Sequence, residues 1–193
     1  MSSKPKTTKS DPHELGEMIK GVKTPTPQVF DIHIASDGAW YHEGGEIRRP
    51  ALVKLFASVL QRADDGSFWL VTPVERGSIT VADAPFLATA VTVTGSGAEQ
   101  QINFSTNVGD AVTLSAAHPL QMRVPPKGDG AEDGAKDGAD DGADEGLAPY
   151  VTVRGGLEAR VVRPVFYELA ELAVESDGAF GVWSAGQFFS LEE

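Results

Sequence analysis

Arginine is the residue whose distribution along this chain suggests chemistry. All eight arginines (Arg48, Arg49, Arg62, Arg76, Arg123, Arg154, Arg160 and Arg163) fall in or beside segments with regular apolar patterning, whereas of the eight lysines only Lys54 does. A guanidinium offers a planar fork that grips a carboxylate or phosphate at two points, and it tolerates partial burial better than an ammonium. The plainer use of any single arginine is an ion pair with a neighbouring acid; the set as a whole keeps an anion site open. Arg49 and Arg163 each precede a proline that opens an amphipathic run, and a helix N-terminus favours negative charge. The candidate contacts to an anion are therefore Arg49, Arg76, Arg154 and Arg163, with Tyr41 and Trp183 as stacking faces for a planar group. Glu75 and Arg76 form a charged pair where the first patterned unit meets the β-rich part that follows. Such a pair is a structural clasp first and part of an interdomain cleft second.

Other chemistries find less support. His13, His33, His42 and His118 are the four histidines. His42 with Glu43 and Glu46 could begin a metal site, but no second histidine stands at a spacing that completes one. Gly181 to Gly186 resembles the hydrolase elbow Gly-x-Ser-x-Gly, yet it is one residue too long and a strand, not a helix, follows. Gly95-Ser96-Gly97 lacks the third glycine of a dinucleotide loop. Both read as turns. No nucleophile–base pair emerges, so a binding function without catalysis, and without a metal or cofactor, is expected.

The elements that must position these residues recur. Gly44-Gly45, Arg49-Pro50, an amphipathic run to Ala63, Asp65-Gly66 and an apolar strand from Phe68 are followed, near the C-terminus, by Gly155-Gly156, Arg163-Pro164, an amphipathic run to Glu175, Asp177-Gly178 and an apolar strand from Phe180. The offset is 114 residues at the Arg-Pro pair and 112 at the Asp-Gly pair, which reads as one strand–strand–helix–strand unit used twice. Val29 to Ala35 alternates as a half-buried strand, and Asp37-Gly38 turns it back into Trp40-Tyr41-His42. Leu52, Leu55, Phe56, Val59 and Ala63 share one helical face. Phe68 to Thr72 reads as a strand buried on both sides. Ser78–Val81, Leu87–Thr94, Gln100–Phe104, Ala111–Ser115 and Leu120–Val124 have strand composition.

Two stretches differ in kind. Asp11-Pro12-His13-Glu14 is a helix start, with Leu15, Met18 and Ile19 as a short apolar stripe behind a Lys/Ser/Thr-rich tail. Residues 125–149 carry Asp-Gly-Ala at a four-residue period with no large apolar residue before Leu147, so they are expected to be a flexible acidic loop. Their spacing does not match a calcium loop. The net charge of −12 argues against general nucleic-acid binding. No apolar run is long enough to span a bilayer, there is no cysteine, and a cytoplasmic protein is expected.

Trp69 to Gly77, Val81 to Phe86, Thr106-Asn107-Val108, His118-Pro119-Leu120, Pro149-Tyr150-Val151, Val153 to Ala159 and Gly181 to Ser184 together resemble the bacterial domain of unknown function 1285 family. The resemblance runs from Phe30 to Leu191, with the Asp-Gly-Ala run as an insertion. It implies a duplicated α+β fold whose second domain is similar to a pleckstrin-homology-like barrel. It also implies a pocket at the domain interface for a nucleotide-like anion, and a role in signalling or stress response. Asn107 and Glu75 join the candidate contacts on those motifs. The expected division is a tail with a short helix over 1–27, an N-terminal α+β domain over 28–84 and a C-terminal β-rich domain over 85–193. The rival readings are a protein-interaction adaptor using a sheet edge and, with the least support, a hydrolase.

Overall fold

The computed structural model describes residues 26–126 and 146–192. The helix start at Asp11 and the Asp-Gly-Ala run lie outside the described residues. The chain from Thr26 begins with strand β1 (Pro27–Ile34), then β2 (Trp40–His42), β3 (Gly45–Glu46), helix α1 (Pro50–Ser58), β4 (Leu60–Arg62), β5 (Phe68–Val71) and β6 (Arg76–Val81). These form one six-stranded sheet in the order β3-β2-β1-β6-β5-β4. Its central pair, β1 with β6, is parallel, and the meanders on either side are antiparallel.

Alternation accounts for β1: Ile32 and Ile34 are buried while Asp31 and His33 face water. The turn after it is held by the Asp37 carboxylate, which accepts from the Ala39 amide at 2.9 Å. Gly38 there has φ +81°, and a Cβ at this position would meet Asn107 Nδ2 at 2.9 Å. A glycine is needed both for the turn and for the close approach of the second half of the chain. Trp40 is buried and stacks on Phe56 of α1, ring centroids 6.2 Å apart.

Helix α1 opens on Pro50 with no side-chain cap from Arg49. It ends at Ser58, short of the Ala63 expected from periodicity. The reason is tertiary: Leu60, Gln61 and Arg62 pair with Leu70, Trp69 and Phe68, so the backbone groups of the last apolar residues are satisfied by a sheet ladder instead of a helix turn. Strand β5 is also less enclosed than expected. Only Leu70 is buried, with Phe68, Trp69 and Val71 half-buried, because an antiparallel meander covers one face and leaves the other partly open.

A second six-stranded sheet has the order β10-β11-β12-β7-β8-β9, from β7 (Phe86–Thr94), β8 (Gln101–Thr106), β9 (Ala111–Thr113), β10 (Leu120–Arg123), β11 (Ala148–Arg154) and β12 (Leu157–Val161). Here too the central pair, β12 with β7, is parallel. Helix α2 (Arg163–Ala170) follows, then β13 (Val174–Ser176), β14 (Ala179–Ser184) and β15 (Gln187–Ser190) as a separate antiparallel sheet. The run expected to stay helical to Glu175 instead ends at Ala170, and Val174–Ser176 pairs with β14.

The order of elements thus repeats: a Gly-containing turn, a strand, a Pro-opened helix and a three-stranded meander. The pairing does not. The first meander docks beside β1 through β6, whereas the second stands apart and β7 takes the corresponding place beside β12. One apolar core nevertheless runs through both halves, with Ile34, Trp40, Phe86, Phe104, Leu169 and Val182 among its buried members. Each such side chain contributes about 1.5–3 kcal/mol by leaving water.

Candidate functional site

The two large sheets meet along a seam that is lined by arginine. Arg154, at the end of β11, sits against Phe86 with its guanidinium carbon 5.0 Å from the ring centroid. Its two terminal nitrogens diverge: Nη1 is ion-paired with Asp110, and Nη2 donates to the Ala57 carbonyl of α1 at 2.8 Å. That carbonyl belongs to the last turn of the helix, where it also accepts a backbone N–H at the cap. The fork of one arginine therefore ties a helix end in the first half to a loop acid in the second.

Arg62, from β4, reaches across the same seam to the Gly156 carbonyl at 3.1 Å and to Glu158 at 3.4 Å. Arg160 donates to the Ser36 carbonyl at 2.9 Å and pairs with Asp83 at 3.4 Å. Asp83 lies between β6 and β7 with its side chain only 3% exposed. Its Oδ1 accepts from the Tyr150 hydroxyl at 2.8 Å, and Arg123 stands 4.0 Å away while lying over the Tyr150 ring. Asp83 Oδ2 is within ion-pair range of Arg160 but off the hydrogen-bond direction; we regard it as Coulombically paired, since 3.4 Å in a buried setting is a strong contact. Burial, then the hydrogen bond to Asp83, raises the Tyr150 hydroxyl well above its ordinary pKa. Arg123 continues to Glu158 at 3.2 Å, linking this cluster to Arg62.

Cavities open along the seam among the described residues. One, of about 200 Å³, is walled by Lys54, Ala57 and Ser58 from the first half and by Val108, Asp110 and Arg154 from the second. A second, of about 300 Å³, has Arg154 on its other side, with Arg62 facing it. A third, of about 260 Å³, runs past Lys54 to Asn107 and Arg48. Lys54 and Arg154 bring two positive charges to the first cavity against one carboxylate, Asp110. Short anionic groups are the chemistry this set can hold.

The eight candidates are distributed as follows. Arg154 and Asn107 lie on the seam, Asn107 exchanging hydrogen bonds with the Leu87 backbone through its own amide and its side-chain oxygen. Arg49 and Arg163 are exposed at the starts of α1 and α2 and line none of these cavities. Arg76 lies over the Trp69 ring at 4.2 Å. Arg76 and Glu75 are no junction pair: β6 begins at Arg76 and pairs within the first sheet, and the crossing point between halves is at Asp83 instead. Glu75 closes a turn in which Thr72 Oγ1 accepts from its amide at 3.0 Å, and it lines a separate cavity inside the first half. Tyr41 is 6.1 Å from the His33 ring on the first sheet, and Trp183 packs on Phe188 in the third. The two aromatics belong to different sheets.

Lys54, Arg62, Asp83, Asp110, Tyr150 and Glu158 were not among those candidates. Lys54 had a signal, as the one lysine inside a patterned segment. Arg62 belonged to the segregated arginines, and Asp83, Tyr150 and Glu158 lay within the family-like motifs; only Asp110 had no signal beyond its charge. Ser184, in the elbow-like stretch, is buried, donating to the Leu114 carbonyl at 2.7 Å and accepting from the Ile102 amide at 3.0 Å. Its hydroxyl stitches the third sheet to the second. Among the described residues, no group of three or more His, Asp or Glu is placed to hold a metal ion, and no helix is long and apolar enough to cross a membrane.

Family models match most of the chain. The N-terminal domain of DUF1285, a domain of unknown function, matches residues 23–84, and its C-terminal domain matches 85–132 and 138–191. A DUF1285 family protein from Silicibacter pomeroyi DSS-3, solved by crystallography, is 40% identical with a TM-score of 0.74, over 96% of this chain and 89% of that one. A second crystal structure, of a DUF1285 family protein from Shewanella baltica OS155, is 25% identical with a TM-score of 0.51, over 74% of this chain and 92% of that one. No curated protein matches. On the two family models and the first of these likenesses, the chain belongs to the DUF1285 family.

Proposed function

We propose that this protein is a non-catalytic binding or sensor module that holds a small, nucleotide-like anion in the seam between its halves, acting in signalling or stress response in the cytoplasm. The single observation that carries this reading is the pair of adjacent seam cavities sharing Arg154, with Lys54 and Arg62 contributed from the other half. A ligand there would contact both halves at once, so binding would change how firmly they are held together, which is what a sensor requires. We read the ordered repeat of elements as the trace of a duplication, and the second half as a pleckstrin-homology-like barrel, on the resemblance drawn from sequence.

The test is a thermal-shift screen of nucleotides and inorganic phosphate against the full chain, followed by titration of Lys54→Ala. Lys54 is exposed and has no ion pair with a described residue, so its removal should spare the fold. An anion that raises the melting temperature and binds about tenfold more weakly to the variant, equivalent to ~1.4 kcal/mol, is the expected result. If no anion shifts the melt, or if Lys54→Ala binds as the parent does, the reading fails.

The adaptor reading has less behind it. In the third sheet Val174 and Phe180 are both exposed. Val174 is paired with Gly181 and Phe180 with Glu175, so the two side chains project from opposite faces and form no continuous patch.

A further inference from the structure

Another cavity lies off the seam. It lies within the first half, about 330 Å³ in volume, between β1, α1 and β5. Its walls are apolar: Phe30, Ile32, Phe56, Val59 and Leu70. Its rim carries three carboxylates, Asp31, Glu43 and Glu75, all exposed and none ion-paired with a described residue. The pairing of β1 with β6 shifts register between Val29 and His33, so Phe30 to Ile32 leave the ladder where the groove forms. Val29 at its lip is 86% exposed.

We propose that the occupant of this groove is the chain's own N-terminal segment, with Leu15, Met18 and Ile19 seated on the apolar walls and Lys20 and Lys23 set against the acidic rim. Three observations point to it. The segment enters the described structure at Thr26, directly before the strand that lines the groove. Val29 is ten positions beyond Ile19, a span of up to ~33 Å when extended, so the stripe reaches the groove without strain. The charges are complementary: residues 1–27 hold five lysines against three acids in a chain that is otherwise strongly acidic, and the rim of the groove carries three carboxylates. The cavity lies near the bottom of the roughly 300–1,000 Å³ range of small-molecule sites, a size that suits two or three aliphatic side chains from one helix face. Tethering supplies the segment at an effective concentration of about millimolar, so modest contacts are enough.

The chain has no cysteine, so Met18→Cys gives a single attachment point for a spin label on the full-length protein. The expected result is severalfold broadening of the backbone amide signals of Phe30, Ile32, Val59 and Leu70, retained when labelled chains are diluted into unlabelled protein. It should be lost when Leu15→Glu and Ile19→Glu are added, and weakened by Glu43→Lys with Glu75→Lys. Absence of broadening overturns the proposal. Broadening that survives Leu15→Glu with Ile19→Glu also overturns it, since it then reports only tether length. Broadening seen only between labelled and isotopically observed chains in a mixture assigns the groove to a second copy. Octylamine serves as a probe of a free cationic occupant: if it shifts the groove signals equally with and without Leu15→Glu and Ile19→Glu, the segment does not hold the site.

Discussion

Asp83 shows what a single residue does at the junction. Its carboxylate is almost fully buried and is balanced by Arg123 and Arg160, which remain about a third exposed. Removing one member of a buried ionic group leaves the others desolvated without compensation. Asp83→Asn should therefore destabilise the fold by about 3 kcal/mol, at the lower end for such breaks because the arginines can turn to water; chemical denaturation checks this. The Tyr150 hydroxyl that donates to Asp83 makes a second prediction. Its folded pKa is raised, so above the unfolded value of about 10 the folded state holds a proton that the unfolded chain has lost. Stability from this group is complete below pH ~10 and declines as pH rises toward the folded pKa. In Tyr150→Phe the alkaline fall in melting temperature should be shallower than in the parent; identical slopes would mean the hydroxyl is not held as described. Both residues lie in family-like motifs, but nothing in the sequence pairs them. Asp83 lies in an ordinary loop tripeptide, and its partners are 40 to 77 positions away.

At the scale of elements, what could be read early was what is decided locally. The Asp-Gly turns, the prolines opening α1 and α2, and the alternation of β1 depend on neighbours a few residues off, and they stand as expected. Helix ends did not, because Leu60–Arg62 and Val174–Ser176 are drawn into ladders with β5 and β14. The parallel pairing of β1 with β6 was equally beyond local pattern. It rests on Gly77, where an added Cβ would stand 2.4 Å from the Phe30 ring. The close approach of Phe30 to the β6 backbone is what lets the two strands lie side by side while the ring packs on the core. Gly77→Ala should cost about 1–3 kcal/mol as an overpacking change. Adding Phe30→Leu should recover part of that loss, a coupling that a double-mutant cycle reads directly. Additive costs would show that the ring does not set the requirement for glycine.

For the whole molecule, the segregation of arginines into patterned segments carried information, but not the kind it first suggested. The paired Arg49 and Arg163 at helix starts face water, whereas Arg62, Arg154 and Arg160 cross between the halves to partners 94 to 124 residues away. Long-range pairing of this kind leaves no trace in spacing, since the same composition fits many partner sets. Arg154 is the most informative of them because three features converge on one guanidinium: the pair with Asp110, the Ala57 carbonyl and the Phe86 ring. Arg154→Ala leaves a half-buried carboxylate without its ion pair and takes from a helix-end carbonyl one of its donors, a loss of about 2 kcal/mol. In a chain of this size that lowers the melting temperature by roughly 4–8 °C. Arg154→Lys should recover little, because one ammonium cannot address both acceptors while lying flat on the ring. Arg49→Ala, exposed and without an ion pair to a described residue, should change stability by less than about 0.5 kcal/mol. Calorimetry of the three variants decides the matter. Equal effects of Arg154→Ala and Arg49→Ala would reduce the arginine seam to surface decoration, and full rescue by lysine would reduce it to net charge.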